Sequence, residues 1–390
     1  MATPRTADGP EVGRRQGSDP ATLQRHFGTS EGVLPLWIAE PDVDLAPEVT
    51  AALRARAGTG WYGYETRPDA VLESFWAWAA ARHGWSGEGL RTLVSPSVGT
   101  SVGVLIEQMT SPGDGEILQP PVFTDFKPLV TAAGRRPIRN ALVRTQAGYR
   151  IDLDGLAAVA AEPSTRMLIL CSPHNPVGRV WTSAELRQVA EICVEHDVFV
   201  LADEIHADIT LPPHRFVPFA VAARGIDVAW AATHGPIKSF GLAGVCDTLL
   251  VTDRAEVGDR FETRSSQLHL TRNNVFGLAA FDAAYRHGGP WFDDLLALVA
   301  RNVELLRAAL PQQITVAPVE GTYLAWLDLR GLGLEVREIP GWLGSVAGVA
   351  MSPGHWFGRE GAGFARMTLA TPSDTVALAA ERLTAAVARR

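Results

Sequence analysis

Three polar side chains of different chemical type each follow an apolar run in the middle of the chain. Asn175 follows MLILC, Asp203 follows VFVLA, and Lys238 follows VAWAA after a short polar stretch. In an open parallel sheet, ligands bind at the carboxyl ends of the strands, so we expect the amide, the carboxylate and the amine to lie close together. An amine beside a carboxylate suits carbonyl chemistry through a Schiff base.

Lysine is almost absent from the sequence, which makes each lysine informative. Of 35 basic side chains only two are lysines, Lys127 and Lys238. A guanidinium keeps its proton, so arginine cannot replace a lysine that forms a Schiff base. Lys127 lies in an FKPL stretch after a turn, where chance survival is the simpler interpretation. Lys238 is therefore the candidate catalytic residue.

The amide, carboxylate and amine together suit pyridoxal 5'-phosphate (PLP). Lys238 would form the Schiff base, Asp203 would face the pyridine nitrogen, and Asn175 would face the ring hydroxyl. A carboxylate at that nitrogen keeps it protonated, and the ring then accepts the electron pair of a carbanion at the Cα of an amino acid. The sequence thus predicts a PLP site that acts on a small amino acid.

The phosphate of this cofactor needs an anion site. The stretch SPSVGTSVG precedes a helical run from Val102 to Met109. Backbone N–H groups at a helix start bind phosphate, so we expect Val98, Gly99 and Thr100 to contact it.

Each of these residues also has a structural interpretation. Asn-Pro is a common turn, and an aspartate at a strand end is often a cap. Asp203, His206 and Asp208 could instead bind a metal ion, although no further ligand cluster stands out in the sequence. The ordered combination with a nearly unique lysine favours PLP.

The elements that must position these side chains follow from the hydrophobic pattern. Between about residues 90 and 255, short apolar runs alternate with helical segments, which is typical of an α/β protein with a mostly parallel sheet. The clearest helix lies between MLILC and VFVLA, where Thr182 and Glu185 have capping-box spacing. From about residue 290 a long helix, short strands and a last helix indicate an α+β unit. The pattern therefore predicts an α/β protein with a large, mostly parallel sheet, followed by a smaller α+β unit.

The domain boundaries are predicted from the same pattern and from composition. The first residues are rich in Gly, Pro, Arg and Asp without an apolar period. We predict a flexible N-terminal arm over residues 1–30 and a large cofactor domain over 46–289. From about residue 290 the pattern predicts a separate, smaller unit.

Composition limits the protein class. The 390 residues are 46% hydrophobic with a net charge of -8, which excludes a mainly disordered chain and a basic nucleic-acid binder. The three cysteines cannot form a disulfide framework, which suits a reducing compartment. Neither a signal peptide nor a run of about 18 apolar residues is visible, so we expect a cytoplasmic protein without a membrane partner.

The residues and their order resemble the fold-type I PLP-dependent enzymes, and specifically the MalY/PatB group of cystathionine β-lyase-like carbon–sulfur lyases. The resemblance runs from about residue 31 to 385, and DEIHAD stands where ordinary aminotransferases carry Asp-x-x-Tyr. The matching segments are LPLWIAEPDVD, WYGYE, PGDGEILQPPVFTDF, YRIDLDGL, CSPHNPVGRVWT, LADEIHADI, IKSFGLAG, GTYLAWLDLRG and GFARMTLATP.

The resemblance implies the fold-type I architecture, with a large cofactor domain and a smaller α+β domain built from both chain ends, residues 31–45 and 290–390. It also implies a homodimer with active sites at the subunit interface. Arg366 would bind the substrate carboxylate, with Ala39 a further substrate contact. Tyr64 would reach the cofactor phosphate of the neighbouring subunit and the substrate, and Phe123 and His206 would contact the cofactor. No nucleic-acid partner is implied.

The sequence departs from the family pattern at the cofactor. The family carries Ser-x-Ser before the lysine, and Gly235 and Ile237 stand here instead. It carries Asn three residues after the lysine, where this chain has Gly241, and a stacking Tyr where this chain has Phe123. Stacking survives the change to Phe123, whereas the hydroxyl is lost.

The activity implied is β-elimination from an S-substituted L-cysteine, giving a thiol, pyruvate and ammonia. Oxygen-dependent decarboxylative deamination to an aldehyde is an alternative, because relatives in sulfur-containing antibiotic pathways such as lincosamide assembly divide between the two outcomes. An aminotransferase and a non-catalytic regulator are further alternatives. The altered cofactor contacts suit a specialised member of such a pathway.

Overall fold

The fold is described by a computed structural model that covers residues 16–270 and 273–390. The strands are, in chain order, β1 (Leu34–Pro35), β2 (Arg91–Ser95), β3 (Gly115–Leu118), β4 (Arg136–Arg139), β5 (Val143–Thr145), β6 (Gly148–Arg150), β7 (Thr165–Cys171), β8 (Phe199–Asp203), β9 (Trp230–His234), β10 (Thr248–Thr252), β11 (Thr315–Val316), β12 (Leu324–Asp328), β13 (Val349–Ala350), β14 (Ser352–Pro353) and β15 (Phe364–Thr368).

The helices flank these strands on both sides. They are α1 (Pro20–Phe27), α2 (Pro47–Gly58), α3 (Asp69–His83), α4 (Val98–Met109), α5 (Phe126–Ala132), α6 (Leu153–Ala160), α7 (Ser183–Glu195), α8 (Phe219–Ala222), α9 (Pro236–Ser239), α10 (Ala255–Gln267), α11 (Val275–His287), α12 (Gly289–Ala309), α13 (Ile339–Gly341) and α14 (Ser373–Ala388).

A seven-stranded sheet forms the centre of the described chain. Its strand order is β2-β10-β9-β8-β7-β3-β4. Strand β10 runs antiparallel to both of its neighbours, and the other neighbouring pairs are parallel. Strands β8 and β9 are buried along their whole length, because helices cover both faces. The predicted α/β class with a mostly parallel sheet is confirmed.

The helix between β7 and β8 begins where the capping box predicts. The Thr182 hydroxyl accepts a hydrogen bond from the Glu185 N–H at 3.2 Å, and the Glu185 carboxylate accepts one from the Thr182 N–H at 2.8 Å. The apolar face of α7 is fully buried against the sheet. This β7-α7-β8 unit fixes the ends of two neighbouring strands at one edge.

A second, antiparallel sheet has the order β11-β12-β15-β14. Its strands lie within residues 315–368, whereas those of the large sheet lie within 91–252. Strand β1 pairs in parallel with β13 and so brings an N-terminal segment to this part of the molecule. The domain boundaries themselves stay a prediction.

The structure corrects the predicted arm over residues 16–30. Helix α1 lies in this segment, and Phe27 is buried beside Trp37 and Trp356, with ring centroids 5.7 and 6.3 Å away. The Trp37 indole N–H also donates to the Gly17 carbonyl at 2.8 Å. Polar composition concealed this docking, because one or two apolar side chains suffice for a short helix. Residues 1–15 of the predicted arm lie outside the described residues.

No helix in residues 16–270 and 273–390 is both long enough and apolar enough to cross a membrane.

Candidate active site

Lys238 lies on the short helix α9, just beyond the end of β9. Its Nζ donates a hydrogen bond to the backbone carbonyl of Ala39 at 2.9 Å. The turn that connects β9 to α9 passes through Gly235, whose φ of 152° favours glycine. The lysine is thereby aimed at the N-terminal segment that contains the substrate contact predicted at Ala39.

The surroundings of Lys238 favour the neutral amine. Burial lowers the pKa of Lys238, and the nearby Arg366 guanidinium lowers it further. The carboxylates of Asp203, Glu40 and Asp125 act in the opposite direction without reversing the shift. A lysine with a lowered pKa carries more unprotonated amine at neutral pH and is a better nucleophile and base.

Asp203 ends strand β8 and is 5% exposed. Its Oδ1 accepts hydrogen bonds from the Thr233 hydroxyl at 2.9 Å and from the Ile205 N–H at 3.3 Å. Burial raises the pKa of Asp203, although these hydrogen bonds and the charge of Lys238 oppose the rise. A buried carboxylate of this kind is stabilised by a cationic partner, such as a protonated ring nitrogen.

Arg366 joins the two sheets at the site. Its guanidinium donates to the Asn175 Oδ1 at 2.9 Å and to the Trp37 carbonyl at 2.8 Å, with Ser352 Oγ at 3.3 Å. The Phe357 ring centroid lies 4.8 Å from the guanidinium carbon. Burial lowers the pKa of Arg366 to about 10, which still leaves it charged at neutral pH. It is a buried cation, well placed to bind a carboxylate.

Ala39 marks the point where Lys238 and Tyr323 converge. The Tyr323 hydroxyl donates to the Ala39 carbonyl at 3.1 Å, the same oxygen that accepts from Lys238. The Tyr323 ring is edge-on to His206, with centroids 5.8 Å apart. Burial holds the pKa of His206 well below its ordinary value, and the charges of Lys238 and Arg366 add to this. His206 is therefore neutral.

The predicted phosphate loop forms the first turn of α4. Ser97 is its N-cap, and the Ser97 hydroxyl accepts from the Thr100 N–H at 3.1 Å. The N–H of Thr100 is thus already bonded, which corrects its expected use for the phosphate. The N–H groups of Val98 and Gly99 stay candidates. Strand β2 leads into this turn and pairs with β10, against which Gly235 packs.

Phe123 and Tyr64 lie outside the buried cluster. Phe123 is half-buried and packs edge-on against Phe126, with centroids 5.4 Å apart. Tyr64 is 85% exposed, and Trp61 and Tyr62 on the same loop are each 54% exposed. The structure therefore brings together Lys238, Asp203, Asn175, Arg366, Ala39 and His206, and it does not bring Tyr64 to them within one chain.

The metal alternative does not fit this geometry. Both carboxylate oxygens of Asp208 already accept hydrogen bonds, from Trp78, His83 and Ser239. In the part of the chain that the structure describes, no group of three or more His, Cys, Asp or Glu side chains has the arrangement of a metal site.

The cluster does fit PLP with an amino acid. Among the described residues, Arg366 Nε and His206 Nδ1 are buried polar atoms without a hydrogen-bond partner. Buried polar atoms without partners are costly, so a polar ligand at this place would stabilise the site. The donor set of amine, carboxylate, amide, guanidinium and helix start matches the ring, phosphate and carboxylate groups of such a ligand.

Sequence reasoning missed several residues of the site. The predicted site residues accept hydrogen bonds from, or donate them to, three further side chains, Tyr323, Thr233 and Ser352, and the backbone carbonyl of Trp37. Thr233 directly precedes the HGPIK segment that contains Lys238, so its position beside Asp203 could have been predicted from the sequence. The backbone carbonyl carries no sequence signal.

Comparison with known proteins identifies the family. Residues 32–383 match the family described as aminotransferase class I and II. The chain belongs to this family. Cystathionine beta-lyase PatB of Bacillus subtilis (strain 168) is 33% identical over 361 residues, covering 89% of this chain and 92% of PatB. Protein MalY of Escherichia coli (strain K12) is 32% identical over 352 residues, covering 89% of each protein.

A solved structure agrees with this assignment. A PLP-bound protein from Clostridium difficile 630 superposes with a TM-score of 0.90 at 31% identity, covering 97% of this chain and 98% of the other. The predicted fold-type I architecture and the resemblance to the MalY/PatB group are confirmed.

The departures of this family member have a local cause. At Gly235, a Cβ atom would lie 3.2 Å from the Thr248 Cα, so a serine would require the backbone of β10 to shift. Gly241 has a φ of 69° and packs against Pro41, a conformation that a larger side chain rarely adopts. The backbone around Lys238 is therefore adapted to glycine at both positions.

Proposed function

We propose that the protein is a PLP-dependent enzyme that cleaves the carbon–sulfur bond of an S-substituted L-cysteine by β-elimination. One observation carries the proposal: the Lys238 amine, the Asp203 carboxylate and the Arg366 guanidinium lie in one buried cluster of a chain that is 33% identical to a cystathionine beta-lyase. The products are a thiol, pyruvate and ammonia.

Lys238, Asp203, Asn175 and the first turn of α4 would hold the cofactor. Lys238 would bind it covalently, Asp203 would pair with its ring nitrogen, and the first turn of α4 would bind its phosphate. When bound, PLP supplies an electron sink for the pair left at Cα after proton loss. The Asn175 Oδ1 already accepts a hydrogen bond from Arg366, so the amide NH2 of Asn175 is the group left to contact the cofactor.

Arg366 would bind and orient the substrate carboxylate. Its guanidinium is held on one side by the Trp37 carbonyl and Ser352, and its Nε has no partner among the described residues. A fixed guanidinium binds a carboxylate in one plane. The Cα–H bond of the substrate is thereby presented to the amine of Lys238.

Lys238 would then move the proton. Once the substrate amine has replaced it on the cofactor, the freed neutral amine of Lys238 would accept the proton from Cα, and the electron pair of the breaking Cβ–S bond would leave with sulfur as a thiolate. The thiolate takes up a proton to become the thiol, and water hydrolyses the released 2-aminoacrylate to pyruvate and ammonia. The Ala39 carbonyl, 2.9 Å from Lys238 Nζ, orients the amine for this role.

The products test the proposal. Purified protein with bound PLP is incubated with S-ethyl-L-cysteine, and thiol, pyruvate, carbon dioxide, aldehyde and oxygen uptake are measured. We expect one thiol per pyruvate without oxygen uptake. Aldehyde and carbon dioxide with oxygen uptake would instead indicate decarboxylative deamination, and conversion to the pyridoxamine form without thiol would indicate an aminotransferase.

Substitution of the lysine tests the role of the site. Lys238→Ala and Lys238→Arg should each lower kcat by about 10²–10⁴-fold, because neither side chain can accept the Cα proton. The control Arg187→Ala changes an exposed residue of α7 and should keep wild-type activity. Equal activity of Lys238→Ala and the control would contradict the assignment.

We also propose a cytoplasmic homodimer in which Tyr64 reaches the site of the partner. The exposure of Trp61, Tyr62 and Tyr64 on one loop supports a contact with a second chain, and the three buried thiols suit a reducing compartment.

Light scattering tests the homodimer and should give twice the chain mass. Tyr64→Phe should weaken PLP binding by about tenfold, the effect of one hydrogen bond to a phosphate, whereas Tyr62→Phe should not. Cell fractionation tests the location.

A further inference from the structure

A groove of about 580 Å³ opens between two segments of the chain, residues 118–128 and 355–360. We call it the substituent groove. The Val122 N–H donates to the Phe357 carbonyl at 3.0 Å and joins its two walls. The elimination proposed above uses none of this space, because S-ethyl-L-cysteine would occupy only the cluster around Lys238.

The substituent groove borders the carboxylate-binding arginine. Phe357, which lines it, lies 4.8 Å from the Arg366 guanidinium, and Phe123 lines the opposite wall. Phe357 therefore belongs both to the surroundings of Arg366 and to the wall of the groove, so the groove and the site are neighbours. The volume of the groove falls within the range of small-molecule sites, about 300–1,000 Å³.

The chemistry of the walls divides the groove into two parts. Phe123, Phe357 and Trp356 form an aromatic part beside the site. The rim carries the cationic side chains Lys127 and Arg359, of which Arg359 is 77% exposed. The aromatic part suits an apolar chain, and the rim suits an anionic group.

Charge on the rim is not balanced. Lys127, Arg139 and Arg359 face a single carboxylate, Glu360, among the groove-lining residues that the structure describes. Glu360 pairs with both arginines, which leaves the charge of Lys127 uncompensated there. Burial also lowers the pKa of His355, so this side chain adds no charge at neutral pH. The rim carries two excess positive charges.

We propose that the substituent groove binds the sulfur substituent of the substrate, and that this substituent is an apolar chain ending in a carboxylate. The inference rests on the proposed function, since it concerns the same substrate. Its structural basis is the run from the Arg366 clamp through the aromatic walls to the cationic rim. It gives one of the two lysines of the chain, Lys127, a role in substrate binding.

A matched pair of substrates tests the terminal charge. S-(5-carboxypentyl)-L-cysteine and its carboxamide S-(5-carbamoylpentyl)-L-cysteine have the same length and differ in charge. The carboxylate should have a kcat/KM about tenfold higher, which corresponds to one charge-assisted hydrogen bond. The difference should lie in KM, because the rim is remote from the reacting bond. Equal values, or a preference for the amide, would overturn the proposal.

Substitutions of the rim test the residues. In the double variant Lys127→Gln/Arg359→Gln the carboxylate preference should fall to about one, because both side chains are exposed and their loss removes the charge without disturbing the core. Arg187→Gln, on α7, is the matched control and should keep the tenfold preference. A preference that persists in the double variant would overturn the assignment of the groove.

Binding without turnover separates the two proposals. Borohydride reduction of the holoenzyme fixes the cofactor to Lys238 and stops catalysis, and the affinity of both conjugates is then measured by titration calorimetry. A carboxylate that binds about tenfold more tightly supports the groove even if the active enzyme releases no thiol, a result that would contradict only the proposed function. Thiol release without any difference in affinity would overturn only the groove.

Discussion

Asp203 ends strand β8 and Asp208 lies in the loop that follows, but the two carboxylates have different hydrogen-bond partners. Asp208 accepts three hydrogen bonds, from Trp78 Nε1 at 2.8 Å, His83 Nε2 at 2.8 Å and Ser239 Oγ at 2.6 Å. Asp203 accepts two, and both go to the same oxygen. Both oxygens of Asp208 thus accept hydrogen bonds from the protein, so Asp208 anchors the structure. Only one oxygen of Asp203 does so, and we call Asp203 the ligand-facing residue.

The two carboxyls also differ in the direction of their pKa shifts, as their hydrogen-bond partners would predict. Burial raises the pKa of Asp203, and its hydrogen bonds do not offset this. Burial also acts to raise the pKa of Asp208. The hydrogen bond and the charge of His83, together with the hydrogen bonds from Ser239 and Trp78, nevertheless hold this pKa below its ordinary value. Asp208 therefore carries its charge to hold the structure, and Asp203 keeps capacity for a cationic ligand.

Removal of the Asp208 charge should have the largest effect on folding. Asp208→Asn leaves donors around an amide that cannot accept all three hydrogen bonds, and it breaks the contact of Asp208 with Ser239, the residue next to Lys238. We expect a loss of about 3–5 kcal/mol in the free energy of unfolding, as for other broken buried pairs. Urea denaturation of the holoenzyme measures it.

The control for this prediction is an aspartate on the surface. Asp227 is 89% exposed and pairs with Arg254. Asp227→Asn should change the free energy of unfolding by less than about 0.5 kcal/mol. If Asp208→Asn were as stable as this control, Asp208 would have no anchoring role and the contrast with Asp203 would disappear.

Removal of the Asp203 charge should act on the chemistry instead. Asp203→Asn keeps the acceptor for the Thr233 hydroxyl but cannot hold the ring nitrogen protonated. We expect kcat to fall by about 10²–10³-fold, the effect of one lost electrostatic contact in an active site. PLP should remain bound through Lys238, as measured by its release in alkali. An Asp203→Asn enzyme with normal kcat would place the decisive carboxylate elsewhere.

Sequence could predict the residues that face the ligand, for a local reason. Asn175, Asp203 and Lys238 each follow an apolar run, and the end of a parallel strand is a position that hydrophobic pattern defines. The strands were placed to within one or two residues, since β9 begins at Trp230 rather than two residues earlier. The hydrophobic pattern did not predict Arg366, Ala39 and His206, which followed from the family resemblance.

The contacts of the anchoring residue could not be predicted, because its partners come together only in the folded chain. Asp208 meets Trp78 and His83, which are more than a hundred residues away in sequence. The same holds for the Arg366 contact with Trp37 and for α1, whose docking depends on an aromatic cluster. Tertiary packing of this kind leaves no periodic pattern in the sequence.

The pH dependence of stability should show the same contrast with the smallest effect, and the two signs should be opposite. The folded-state pKa of Asp208 is lowered below its ordinary 3.8, so its stabilising contribution is complete above pH 3.8 and is lost as pH falls through the lower value. The stability gap between wild type and Asp208→Asn should narrow in acid.

The folded-state pKa of Asp203 is raised above 3.8, so its ionisation costs stability at neutral pH, and this cost disappears as pH falls. In PLP-free protein, Asp203→Asn should therefore be at least as stable as wild type at pH 7 and lose any advantage in acid. Urea midpoints of the three PLP-free proteins from pH 7 downward measure both gaps. If the stability differences of both variants from wild type changed in the same direction with pH, the two carboxyls would not differ in how the protein's hydrogen-bond donors stabilise them. That result would contradict the assignment of Asp208 as the anchoring residue and Asp203 as the ligand-facing one.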